Sequence, residues 1–167
     1  MSLAVTRLFR AHWTDAIHEE WIENLRASRP DISLEQLSRT RRIMDRAVPD
    51  ALVSGYGRLV STLNLPDPDD RHVLAAAIHA GAKQIVTFNL KDFPESILSD
   101  YGIEATSPDD FVAQLVLDYP AEVLAALRHQ RGRLTRPAKP VEEFLDTLVK
   151  QGLPKTVNLL QPQTHLL

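Results

Sequence analysis

The stretch that most constrains this chain is Leu65–Phe93, "LPDPDDRHVLAAAIHAGAKQIVTFNLKDF". It reads as one helix-to-strand unit. Asp67 stands before Pro68, the pairing of an N-cap with proline at the first helical position. Val73, Leu74, Ala77 and Ile78 recur at helical spacing, and Gly81 is a stop. "KQIVTF" follows as a compact apolar run, expected to be a strand buried on both faces. A helix that feeds directly into a short apolar strand must pack on the sheet that the strand joins. This places the chain among α/β proteins with a mainly parallel sheet.

The flanking sequence repeats the alternation. "LFRAHW" reads as a short strand. Thr14 is an N-cap, with Ile17, Trp21 and Leu25 at helical spacing through about Ala27. Ser33 and Gln36 form a capping box for a helix running toward Ala47. "VPDALVSGYG" reads as turn, strand, turn, and "RLVSTL" as a short helix. "GIEATS" is a further strand, and Pro108 starts a helix carrying Phe111, Val112 and Leu115. The pattern changes after about Leu117. Pro120–Leu134 is helical with a basic end, "RPAKP" is a linker, and Val141–Lys150 and Leu153–Leu160 are further helices. The expected division is therefore a domain over 1–117 and a helical extension over 118–167.

Composition removes several classes of protein. Apolar residues make up 44% and charged residues 25%, which is ordinary for a folded domain and unlike a disordered chain. Cysteine is absent, so there is no disulfide framework and no thiolate zinc site, and a reducing, cytoplasmic setting is expected. No apolar run reaches the roughly 20 residues of a membrane helix. The net charge of −3 gives no global field for nucleic acid, so any such site must be a local patch. The histidines, His12, His18, His72, His79 and His129 among them, form no HExxH-type zinc pattern and read as surface or packing residues. Trp13 and Trp21 read as packing.

The acids are the chemical signal. Asp67, Asp69 and Asp70 fall within four residues, and Asn89 and Asp92 lie just past the strand. A cap and a favourable first turn explain any one of them. They do not explain the number: two carboxylates about 5 Å apart repel by roughly 3 kcal/mol at an effective dielectric of 20. A hard divalent cation such as Mg²⁺ or Mn²⁺ offsets that repulsion better than a helix end does. Sites in parallel sheets form at the carboxyl ends of strands, where Asn89 and Asp92 are expected, with Asp70 turned toward the same edge.

"DPDDRHVLAAAIHAGAKQIVTFNLKDF", with "YGIEATSPDDFV" and "RAHWTDAIHEEW", resembles PIN domains, in particular the branch of VapC-type toxins of bacterial toxin–antitoxin systems. "QGLPKTVNLL" resembles the helical tail of some members. The resemblance covers most of residues 3 to 117. It implies a three-layer domain with a small, mainly parallel sheet flanked by helices, and a metal-dependent endoribonuclease. It also implies Mg²⁺ or Mn²⁺ as cofactor, RNA as substrate, a cognate antitoxin and a homodimer.

Residue by residue, Glu20 in "HEEW" matches the family's helical Glu and Asp70 its third acid, and the resemblance implies that both are metal ligands. Asp67 and Asp92 are supporting ligands, and Asn89 stands where many members have a fourth Asp. Because acids repel phosphate, basic residues are needed to draw RNA in. Arg71, His72, Lys83, Lys91 and the cluster Arg128, Arg131, Arg133 and Arg136 are the expected set. The family's first strand and its Asp have no counterpart here, since no acid precedes Asp15. A segment exchanged from a second copy, a rearranged sheet or a partner is expected to fill the gap. The reading opposed to an enzyme is an inactive PIN-like module that binds RNA or protein.

Overall fold

A computed structural model of the chain describes residues 3–135 and 138–167. They form two compact units. The first comprises Arg10–Ile85 and Asn89–Ala105; the second comprises the described residues of Met1–Phe9, Val86–Phe88 and Thr106–Leu167.

In the first unit, helix α1 (Asp15–Ser28) starts where the Thr14 side chain accepts a hydrogen bond from the Ile17 amide, 3.1 Å. Helix α2 (Leu34–Ala47) opens on the reciprocal Ser33–Gln36 capping box. A short α3 (Gly57–Val60) leads to a 3₁₀ turn, Pro68–Asp70, and then to α4 (Arg71–Ala80). Gly81 ends α4 in the left-handed region, φ 65°, where glycine meets no Cβ penalty. Leu74, Ala75 and Ala77 of α4 pack with Leu63, Leu65, Ile85, Phe93, Leu98 and Ile103 in one core. Leu74 and Leu98 are wholly buried, each worth about 1.5–3 kcal/mol.

Strand β1 (Gln84–Val86), helix α5 (Glu95–Leu98) and strand β2 (Glu104–Thr106) follow, the last residue of each strand, Val86 and Thr106, being assigned to the second unit. The two strands form a two-stranded sheet. Glu104 N donates to Lys83 O and Thr87 N to Thr106 O, an ascending register that makes the pair parallel. The α/β class with a small parallel sheet is thus present in a mostly helical chain. Two strand expectations need correction. Lys83–Phe88 is not buried on both faces: Ile85 is buried, while Gln84, Val86 and Phe88 are exposed. A sheet of two short strands cannot be covered as a central parallel strand would be. Leu8–Trp13 is not a strand. Arg7 adopts φ 63°, which interrupts extension, and only Trp13 makes a parallel bridge, to Leu52.

The second unit holds α6 (Pro108–Asp118), α7 (Pro120–Gly132), α8 (Val141–Lys150) and α9 (Pro154–Leu160). Their apolar stripes meet through Leu115, Val123, Leu127, Phe144, Leu148 and Leu160, with Phe9 stacked edge-on against Phe111. Since α9 begins with proline, its first free amides are Lys155 and Thr156. Both donate to the Asp109 carboxylate at 2.8 Å, a cap supplied by another helix. This unit therefore takes in α6, upstream of the 117/118 division expected from sequence. No described helix is long and apolar enough to cross a membrane.

Candidate metal centre

The 3₁₀ turn and the loop after β1 bring three carboxylates together. One oxygen each from Asp67, Asp70 and Asp92 lies within 4.8 Å of the others. Their local roles differ. Asp67 is a true cap: its side chain accepts from the Asp69 amide at 2.9 Å. Asp70 makes no capping bond, although it sits at the N-terminus of α4. Asp92 closes a 3₁₀ turn, Leu90–Asp92, and is nearly buried; its carboxylate accepts from the Asn89 side-chain amide.

The electrostatics single out Asp70. Its carboxyl is pushed above the ordinary range, first by burial and then by the charges of Asp67, Asp92 and Glu20, with His72 pulling the other way. Capping cannot be the purpose of a carboxylate that caps nothing and is repelled by three neighbours. The donor set, all carboxylate oxygen and partly desolvated, fits a hard divalent cation.

Glu20, on the exposed face of α1, is outside the three-carboxylate group. It pairs with His72 of α4, Nε2 to Oε1 2.7 Å, and so stands beside the acids as a fourth negative group. His72 Nδ1 is buried and has no hydrogen-bond partner among the described residues, and the same holds for Arg71 Nε. From sequence His72 reads as a surface or packing residue and as a basic candidate for RNA; its pairing with Glu20 joins residues 52 apart in the chain and has no local signature.

The remaining expected residues divide between the units. Lys91 Nζ lies 3.9 Å from Asp92 Oδ2. Arg128 and Arg131 are committed to backbone carbonyls: Arg128 Nε donates to Leu166 O, and Arg131 donates to Leu167 O and Lys139 O. Arg133 is exposed. Arg136 lies outside the described residues.

The small parallel sheet and the acids gathered just beyond β1 agree with what the sequence itself matches. A PIN domain model matches residues 1–91, more than half of the chain, and the chain belongs to the PIN domain family. A second match, to the VapC50 C-terminal domain, covers residues 108–162, from the start of α6 to just past α9. Among curated proteins, the chain is 37% identical over 101 residues to "Putative ribonuclease VapC50" of Mycobacterium tuberculosis (strain ATCC 25618 / H37Rv). That alignment spans 60% of this chain and 59% of the relative. No solved structure matches.

Proposed function

We propose that this protein is a divalent-cation-dependent endoribonuclease of the VapC toxin type. The observation that carries the reading is the convergence of Asp67, Asp70 and Asp92, with Asp70 left unsatisfied by any hydrogen bond that would explain it as a cap. Asp67, Asp70 and Asp92 would hold Mg²⁺ or Mn²⁺, and Glu20 flanks them. A cation bound there acidifies water and offsets negative charge on a phosphodiester under attack.

The chain's own residues supply the rest. Asn89 holds the Asp92 carboxylate through its amide. His72 fixes the Glu20 carboxylate. Arg71 and Lys91, next to two of the acids in sequence, bring positive charge to a site that otherwise repels phosphate. The relative's name supports RNA as substrate and, through VapC, a cognate antitoxin partner, and the cytoplasm as compartment belongs to the same reading. A homodimer, with exchange of a segment to complete the sheet, belongs to the same reading.

The test is cleavage of single-stranded RNA with Mn²⁺ or Mg²⁺ by the full chain and by Asp70→Asn. Cleavage that needs the metal and falls on the order of 100-fold or more in the variant is the expected result. Equal cleavage by both proteins, or no cleavage of varied RNAs with either metal, sinks the proposal; the second outcome leaves the inactive binding module.

A further inference from the structure

An acidic centre needs a separate place to hold the phosphates that it does not cut, and the C-terminal Arg128 and Arg131 belong to the other compact unit, where they donate to backbone carbonyls. Helix α2 offers an alternative in the same compact unit as the acids. It carries four arginines, Arg39, Arg41, Arg42 and Arg46, against two acids, Glu35 and Asp45, in a chain whose net charge is −3. Arg39, Arg42 and Arg46 follow one another at i, i+3 and i+7, so they share one face. All three are exposed, and none forms an ion pair among the described residues. Arg46 Nε donates only to the Arg42 carbonyl, 3.3 Å.

This arrangement works against the helix. Like charges three and four residues apart destabilise it. The acid best placed to neutralise Arg42 is Asp45, three residues on. The fold has turned Asp45 inward, where its carboxylate accepts from Trp13 Nε1 at 2.8 Å and from His18 Nε2 at 3.0 Å. Its remaining charge partner is Arg41, 3.9 Å away and itself paired with Asp15. Glu35, one turn before Arg39, does not pair with it either. Three guanidinium groups are thus left in a row, rising about 4.5 Å and then about 6 Å along the helix axis. A flexible single strand, with one phosphate per nucleotide, can match such a row, and guanidinium groups bind phosphate through paired donors.

We propose that Arg39, Arg42 and Arg46 form a docking rail for the phosphate backbone of single-stranded RNA, independent of base sequence. The proposal rests on the ribonuclease reading for its choice of polyanion. The three arginines hold the strand and take no part in the chemistry.

The experiment measures binding of a labelled oligoribonucleotide by the full chain in EDTA, where no metal-dependent cleavage occurs, over a series of salt concentrations. The triple variant Arg39→Gln/Arg42→Gln/Arg46→Gln is expected to bind on the order of tenfold or more weakly at low salt. Its plot of log affinity against log salt should be shallower by about 2, from about 0.7 for each phosphate no longer neutralised. The weakening should be equal for unrelated RNA sequences. Lysine at all three positions should restore the slope, and Arg29→Gln, whose guanidinium is already bound to Asp31, should change nothing. Thermal stability of the triple variant should be unchanged or raised, because repulsion is removed; a fall would mark a structural role and overturn the proposal. An unchanged slope overturns it too. So does displacement of RNA by polyglutamate at equal charge concentration, which would mark an acidic protein as the occupant. The two readings fail separately: an unchanged slope beside an inactive Asp70→Asn removes the rail and leaves the nuclease, whereas cleavage by Asp70→Asn removes the acidic centre without touching the slope.

Discussion

Asp45 and Asp70 lie in the same compact unit and have opposite surroundings. Burial pushes the Asp45 carboxyl upward, but hydrogen bonds from Trp13 and His18, with the positive charge of Arg41, outweigh it and hold the group below the usual carboxylate range. The network around it is closed. His18 is wholly buried, and its Nδ1 accepts from Trp21 Nε1 at 2.9 Å, so the ring proton sits on Nε2 and points at Asp45. Asp70 is raised by burial and again by three like charges, with no hydrogen bond to explain its place. A polar cluster whose donors and acceptors are all matched fixes the packing of α1 against α2. One whose charges are unmatched stores a demand for a ligand.

Substitution at each acid separates the two roles. The largest effect expected is on chemistry, where Asp70→Asn removes cleavage and Asp45→Asn, if the chain still folds, leaves it. The next is on folding. Asp45→Ala strands the buried His18 ring proton and the Trp13 indole N–H, and should lower the unfolding free energy by about 2–3 kcal/mol in denaturant titrations. If the drop were below about 0.5 kcal/mol, the network would be no more than an exposed surface pair.

Smaller effects follow from the sign of the Asp70 shift. A carboxyl raised by folding subtracts stability once pH climbs above its folded value, and subtracts none below the ordinary carboxylate range. Asp70→Asn in EDTA should therefore melt about 1–3 °C higher than the parent at neutral pH and no higher at low pH. Asp45 has the opposite sign: its contribution is present above the unfolded carboxylate value and fades as pH falls through the lower, folded one. Mn²⁺ should raise the melting temperature of the parent chain and leave that of Asp70→Asn where it was. An equal rise in both would mean that the ion binds elsewhere and would erase the contrast between the two clusters.

Local chemistry was legible along the chain. The Thr14 and Ser33 caps, the Gly81 stop and the bounds of α2 and α8 all lie where short-range rules put them, because a cap or a stop is settled within four residues, whereas Pro68 opens a 3₁₀ turn and the α-helix itself begins at Arg71. Asp67 and Asp70 were legible together because they flank one short turn, whereas Asp92, 22 residues further on, joined them only through the rule that sites form beyond the carboxyl ends of parallel strands. The strand expected at residues 8–13 does not form, because extended backbone is stable only against a partner, and composition does not say whether one is there.

The sequence by itself determined the α/β alternation, the capped helices and the density of acid at one helix start. Only the tertiary structure decided that Asp70 caps nothing, that Glu20 meets His72, and that Asp45 turns inward and leaves three arginines of α2 unmatched. The physical reason is distance along the chain. Asp45 meets residues 27 and 32 positions away, and Glu20 meets one 52 positions away. Such pairings depend on which helix faces pack together, and no local pattern encodes that choice.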